Sequence, residues 1–311
     1  MDEAILHRVG HERAVESDGS SEGPGNVRKL QIDHVTDYRF GSDVTLLPHR
    51  LLLRPRESHV LRIASSTLEI APAHRIRWQR DALDNSVAVV SFTAPAASLR
   101  IASRIVIEHY DEEPLDFLIE DSAASHPFEY GPVDAVLLAP MRSLAWPNDR
   151  ATVEGWLQGL GMGSSRVETF ALLDELNRTI PRDFAYQARE EPGVQSPART
   201  LSLRSGSCRD FAALFIEATR QLGFASRFVT GYHTSHANEA GSGSTHAWAE
   251  VYLPGPGWKG FDPTGGVVTG SEHIAVAVAG HPENVPPVAG SYVGPKNLRP
   301  TMQVSVRVVG L

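Results

Sequence analysis

Two periods of apolar and polar residues divide this chain. Leu99, Ile101, Ile105 and Ile107, with Ser103 among them, alternate with Arg100, Ala102, Arg104, Val106 and Glu108. That is the period-2 pattern of a half-buried strand. Runs of the same character occupy 30–40, 44–54, 60–70 and 86–94, separated by Pro, Asp, Asn or Gly. Several short strands with turn signals between them predict an antiparallel β-sandwich domain over 29–110. Ahead of it, residues 1–28 are polar and Gly/Ser-rich near their end, and they read as a disordered tail. Behind it, 111–149 carries Pro114, Pro127, Pro132, Pro140 and Pro147 and reads as an irregular connector.

The period then lengthens. Asn148 and Asp149 are placed to cap a helix near 150–159. Val167, Phe170, Ala171, Leu173, Leu176 and Ile180 fall at helical spacing, with Pro181 as the stop. A further helix starts near Cys208, with Phe211, Phe215, Ala218 and Leu222 on one face and Gly223 closing it. Strands follow at Arg227–Tyr232, His246–Leu253 and Trp258–Asp262. The fold class is therefore α+β: over 150–295, helices packed on an antiparallel sheet. Met302, Val304, Val306 and Val308 alternate with Gln303, Ser305 and Arg307 and predict a terminal strand within 296–311.

The length of 311 residues suits about two domains, and 41% hydrophobic with 21% charged residues suits packed ones. A net charge of −8 without a Lys/Arg run argues against nucleic acid and membrane surfaces as partners. No apolar stretch approaches the roughly 20 residues that span a bilayer. A single cysteine excludes an internal disulfide, and Met1–His7 lacks the basic and apolar regions of a signal peptide. A cytoplasmic setting is expected.

That cysteine carries the candidate chemistry. Cys208 lies in Gly206-Ser207-Cys208-Arg209-Asp210 at a helix start. Unpaired N–H groups and the positive end of the helix dipole favour a thiolate there and can hold an oxyanion. Free cysteines are more often inert core residues; here an imidazole and a carboxylate follow. His246, Trp248, Glu250 and Tyr252 share one strand face, opposite the aliphatic Ala247, Ala249, Val251 and Leu253. Asp262 ends the next strand, across Pro254-Gly255-Pro256-Gly257. A four-residue loop would turn Asp262 away from His246. An odd loop, setting Tyr252 opposite Trp258 and Trp248 opposite Asp262, brings the two within side-chain reach, so an odd register is expected.

Around these, Gly206 is expected to admit a substrate backbone, with Ser207 and Trp248 beside it. Tyr186 and Gln187 are candidates for an oxyanion hole. Arg209 is a candidate thiolate partner and Asp210 a first-turn acid. Cys208 with His233, His236 and His246 offers a metal reading, but without the closed ligand spacing of a structural zinc site. Neither metal nor cofactor is expected.

The three blocks Gly206–Ala212, His246–Tyr252 and Gly257–Thr264 resemble those of the transglutaminase-like superfamily, in its bacterial form with an N-terminal β domain. His34-Val35-Thr36-Asp37-Tyr38, Leu53-Arg54-Pro55-Arg56, His273–Val278 and Val285-Pro286-Pro287 extend the resemblance over most of 30–295. It implies a papain-like catalytic core with Cys208 as nucleophile, His246 as base and Asp262 as orienter. Arg209 stands where eukaryotic transglutaminases carry Trp, Asp84-Asn85 where Gly-Asn is expected, and Ala279-Gly280-His281 where Gly-Arg-Asp is frequent. The implied activity is acyl transfer from a peptide or Gln amide of a peptide or protein substrate through a thioester, to water or to an amine. A non-catalytic peptide-binding module on the same fold is the alternative.

Overall fold

The spine of the N-terminal half is β1 (Val27–Leu46), in which Leu30, Ile32, His34 and Thr36 are buried in strict alternation with more exposed neighbours. This computed structural model describes residues 27–110, 114–163, 165–189, 191, 193–234 and 245–311. The expected tail, apart from Val27 and Arg28, lies outside the described residues; those two already belong to β1. Next come β2 (His49–Leu51), β3 (Leu61–Ala71), β4 (His74–Arg80), β5 (Ser86–Phe92) and β6 (Ala96–Tyr110). One sheet places β6 between β1 and β3; another places β5 between β2 and β4. Phe40, Leu51, Leu53, Val90, Leu99 and Ile101 close a shared core between them, an antiparallel sandwich.

The connector is more ordered than its prolines suggest. It forms β7 (Ser125–His126), α1 (Pro132–Leu137) and α2 (Ala139–Arg142). After it come α3 (Arg150–Gly159), β8 (Val167–Glu168), α4 (Thr169–Asp183), β9 (Ala185–Tyr186), α5 (Pro197–Leu203), β10 (Ser205–Gly206) and α6 (Cys208–Gln221). Asp149 precedes α3 but caps nothing with its side chain; Oδ2 accepts the Ala198 N–H of α5 at 2.9 Å instead. Pro181 does not stop α4. It sits in the last turn, and the Phe184 N–H closes the end on the Ile180 carbonyl at 2.9 Å.

Everything from Asp210 to Arg220 in α6 is buried, so the helix is central rather than one-faced. Its buried Glu217 pairs with Arg220 at 3.1 Å and accepts the Ala145 and Trp146 N–H groups at 2.9 and 3.1 Å. Arg220 donates to the carbonyls of Met141 and Gly280 at 3.0 and 2.7 Å. This buried pair has its hydrogen-bonding capacity filled partly by the connector, which fixes the chain there, and partly by the carbonyls of Ser226 and Gly280.

Against α6 lies an antiparallel sheet of five strands in the order β14-β13-β12-β11-β15: Val267–Val268, Gly257–Asp262, His246–Leu253, Ser226–His233 and His273–Ala279. The chain then returns to the N-terminal half. β16 (Val288–Ala289) pairs with β2, and β17 (Tyr292–Val293) pairs with β1. β18 (Thr301–Gly310) runs along β1 from Arg39↔Thr301 to Leu30↔Gly310. Residues from 288 onward thus complete the first domain, earlier than the boundary expected at 295.

The two halves share one core, in which Leu30, Ile32 and Ile107 meet Tyr232 and Ile274. Asn85, fully buried, exchanges two hydrogen bonds of 2.8 Å with the backbone of Val278 in β15. No helix among the described residues is long and apolar enough to cross a membrane.

Candidate active site

Cys208 is the first residue of α6, behind an extended Ser207. Asp210 is far more than a first-turn acid. It is fully buried, and its carboxylate accepts both the N–H and the hydroxyl of Ser207 at 2.8 Å. It also accepts Arg189 Nη1 at 2.8 and 2.9 Å and the Gln195 N–H at 2.7 Å. A carboxylate at this end of a helix is favoured by the dipole, and here it locks the loop that presents the thiol. Gly206 serves the same lock rather than a substrate. A Cβ there would stand 2.9 Å from the Asp210 Cβ and 3.3 Å from the Phe211 ring, so the missing side chain makes room for Asp210.

The β12–β13 hairpin has the odd register. Leu253 pairs with Gly257, Tyr252 with Trp258 and Ala249 with Phe261, leaving a three-residue turn. Continuing the ladder sets Trp248 opposite Asp262 and His246 on the diagonal. The result is a buried hydrogen bond of 2.7 Å between His246 Nε2 and Asp262 Oδ2. Cys208 is near enough to His246 for its side chain to act on the imidazole. Burial would lower the His246 pKa, but the bonds and charges of Asp262 and Cys208 raise it to about 10. Burial would likewise raise Asp262, yet His246 and then His273 hold its carboxyl well below the usual carboxylate range. The arrangement stabilises an imidazolium between an anionic carboxylate and a sulfur.

His273, at the start of β15, opens a block of the resemblance but is not among the candidate site residues read from the sequence. Its Nε2 lies 3.2 Å from the same Oδ2. Its Nδ1 accepts the Gly270 N–H at 3.4 Å, so the neutral ring carries its proton on Nε2 and donates it to Asp262. His233, His273 and Asp262 each offer a ligand atom within 4.8 Å of one another. A metal would need His273 Nε2 bare and its Nδ1 carrying a proton toward an acceptor. The Gly270 N–H faces that nitrogen instead, so the bonding fits a hydrogen-bond relay and not a metal. Cys208 is outside this group, and His236 of the sequence-level metal reading lies outside the described residues.

Trp248 is only 2% exposed. It does not touch the cavity as expected of a substrate-side residue. Its ring packs beside His246 at 6.1 Å and edge-on to His273 at 5.2 Å. Gly231, opposite His246 in β11, makes room for it: a Cβ there would meet Trp248 Cη2 at 2.6 Å and strike the Ile274 carbonyl.

Beside the thiol opens a cavity of about 510 Å³, lined among others by Ser207, Cys208, His246, Tyr186, Phe228 and Pro286. Tyr186, 56% exposed, forms its rim. Burial and then the charge of Cys208 raise the tyrosine hydroxyl. Gln187 is exposed and outside the lining; its backbone N–H bonds the Gly206 carbonyl at 2.8 Å. Arg209 turns away from the sulfur, donating Nη2 to the carbonyls of Arg189 and Glu191 at 3.1 and 2.6 Å.

The chain matches two family models: bacterial transglutaminase-like N-terminal region over 30–108, and transglutaminase-like superfamily over 164–263. An uncharacterized protein of Mycobacterium tuberculosis (strain H37Rv) is 28% identical over 306 residues, covering 91% of this chain and 93% of that one. One of Mycobacterium leprae is 24% identical over 287 residues, covering 86% and 94%. A crystal structure described as "a Putative Cysteine Protease from Cytophaga hutchinsonii" aligns with a TM-score of 0.70 at 18% identity, over 92% of this chain and 91% of that one, a likeness of fold. The two matched regions fall on the β-sandwich and on the half that carries Cys208, His246 and Asp262; the chain belongs to the transglutaminase-like superfamily, in the form that carries the bacterial N-terminal region.

Proposed function

We propose that this protein is a cysteine-dependent acyl-transfer enzyme acting on amides of peptides or proteins. The observation that carries the reading is His246, hydrogen-bonded to Asp262 and close to Cys208, with Cys208 and His246 lining one cavity. The Cys208 thiolate attacks the carbonyl carbon of a peptide bond or a Gln side chain. The oxyanion forms next to the first-turn N–H groups of α6, which a helix leaves without intrahelical partners. His246 gives its proton to the leaving nitrogen, the C–N bond breaks, and a thioester remains. Water or an amine then attacks, His246 takes its proton, and the C–S bond breaks to restore the thiolate. Asp262 holds the ring and balances the imidazolium throughout. Tyr186 and Ser207, which line the cavity, are the substrate-side residues of this proposal. A cytoplasmic setting, in which a lone thiol stays reduced, is part of it.

The test is labelling of the full chain with iodoacetamide near pH 6. Stoichiometric reaction at Cys208 that is lost in His246→Ala supports the enzyme reading; equal labelling of both proteins refutes it. Incubation with a peptide pool, with and without a primary amine, followed by mass spectrometry of the Cys208 peptide and the products, separates hydrolysis from amine transfer.

A further inference from the structure

Asp262 accepts more donors than an orienting carboxylate needs. Oδ1 takes the Thr264 N–H at 2.9 Å, and Oδ2 is shared by His246 and His273. His273 sits opposite His233 in the β11–β15 ladder. Its ring is held by Trp248 edge-on at 5.2 Å, by His233 at 4.5 Å and by the Gly270 N–H on Nδ1. We infer that His273 is a positioning residue for the Cys208–His246 pair: a neutral Nε2–H donor that fixes the shared oxygen of Asp262 and keeps that carboxylate anionic. This rests on the catalytic reading of Cys208, His246 and Asp262.

The physical need is plain. A carboxylate buried among strands tends to take up a proton, because burial disfavours its charge. A protonated Asp262 would no longer hold His246 as a cation. A second donor offsets that cost, and a neutral one does so without setting a second imidazolium 6.0 Å from the His246 ring centre, where it would repel the first. The Gly270 N–H supplies the neutrality by occupying the nitrogen that would otherwise take the second proton. Nearest the His273 ring among the described residues are Asp262, His246 and His233, with Glu272 3.9 Å from His233; the cavity that His273 also lines carries Arg56, Glu57, His59, His109, Arg227, Glu250 and Lys259.

Two measurements on the full chain test this. In wild-type protein labelled with ¹⁵N-histidine, NMR at pH 7 is expected to show His273 neutral with its proton on Nε2; a proton on Nδ1 overturns the inference without any variant. In His273→Phe, which keeps a ring and loses the donor, His246 is expected to lose its proton at lower pH. The midpoint of that loss should fall by about one pH unit, the scale of a hydrogen bond to a charged group, and the pH dependence of Cys208 alkylation by iodoacetamide should shift with it. His273→Gln, whose amide can reach the same oxygen, should recover most of the shift. Wild-type alkylation and His246 titration in the Phe variant, or a Gln variant as shifted as Phe, overturn the role. Labelling that survives His246→Ala sinks the underlying catalytic reading instead, and leaves the His273 tautomer as measured.

Discussion

Replacing Asp262 by Asn keeps the shape of the site and removes the buried anion that His246 faces. In the wild type the 2.7 Å bond to His246 joins two buried groups, so little solvent screens it. Hydrogen bonds to charged groups are worth about 1.5–3 kcal/mol, which lowers the affinity of His246 for its proton by about one to two decades. The expected result is a fall of about one to two pH units in the midpoint at which His246 gives up its proton, followed through the pH dependence of Cys208 alkylation by iodoacetamide. Stability should change with a matching pH signature. His246 has its pKa raised from 6.5 to about 10, so its contribution is whole below pH 6.5 and fades as pH climbs through 10. Asp262 is held below its ordinary 3.8, so its contribution is present above that value and is lost in acid. The gap in Tm between wild type and Asp262→Asn should therefore be widest between about pH 4 and 6.5 and shrink on both sides. A variant with the wild-type midpoint in alkylation, and a pH-independent Tm gap, would refute the ion-pair reasoning.

Three further perturbations probe the frame around the site. Asp210→Ala strips Arg189 and the Ser207 N–H of their partner at once. It should cost about 3–5 kcal/mol in urea unfolding, the range for a buried pair broken on one side, and a cost below 1 kcal/mol would contradict the lock. Gly231→Ala drives a methyl into Trp248 and the Ile274 carbonyl. Overpacking of this kind costs about 1–3 kcal/mol, and a shifted Trp fluorescence spectrum with lowered Tm is expected; an unchanged spectrum and Tm would mean the sheet has slack there. Removing 300–311 uncovers the β1 edge and the partners of the buried Val306 and Val308. Light scattering on warming should report aggregation through the bare edge, whereas a monodisperse truncated protein would show that β18 is dispensable.

Much of the fold could be read along the chain because it depends on local period. The alternation through β6 and the helical spacing through α4 and α6 are imposed by which side chains must leave water. What the period does not carry is the partner of an element. The strand at 301–310 was recognisable, but its pairing with β1, some 270 positions away, follows from which edge of the sandwich stands open. The connector's order came from Glu217 and Arg220, two charged residues whose helical positions read as solvent-facing until Ala145, Trp146, Met141 and Gly280 close over them. Pro181 misleads for a smaller reason: in a last turn, proline lacks only its own N–H bond to the i−4 carbonyl, and the Ile180 carbonyl before it still accepts the Phe184 N–H.

The site divides along the same line. Cys208, His246 and Asp262 each stand at a local landmark, a helix start, a strand with a polar face and a strand end, and parity of the hairpin alone decides whether the last two can meet. The residues that give the trio its charge have no such landmark. His273 reaches Asp262 only because β15 lies beside β11, and its proton position is set by Gly270, three residues before it. Trp248 shares a strand face with His246, and from period 2 alone the two look equally available to substrate. The missing Cβ of Gly231 on the neighbouring strand lets the indole sink beneath the imidazole while the imidazole stays at the cavity. The places of Cys208, His246 and Asp262 are therefore properties of short segments, whereas the protonation of His246 is a property of the five-stranded sheet as a whole. A substitution in β11 or β15 that leaves these three side chains intact is thus expected to alter the pH at which Cys208 reacts.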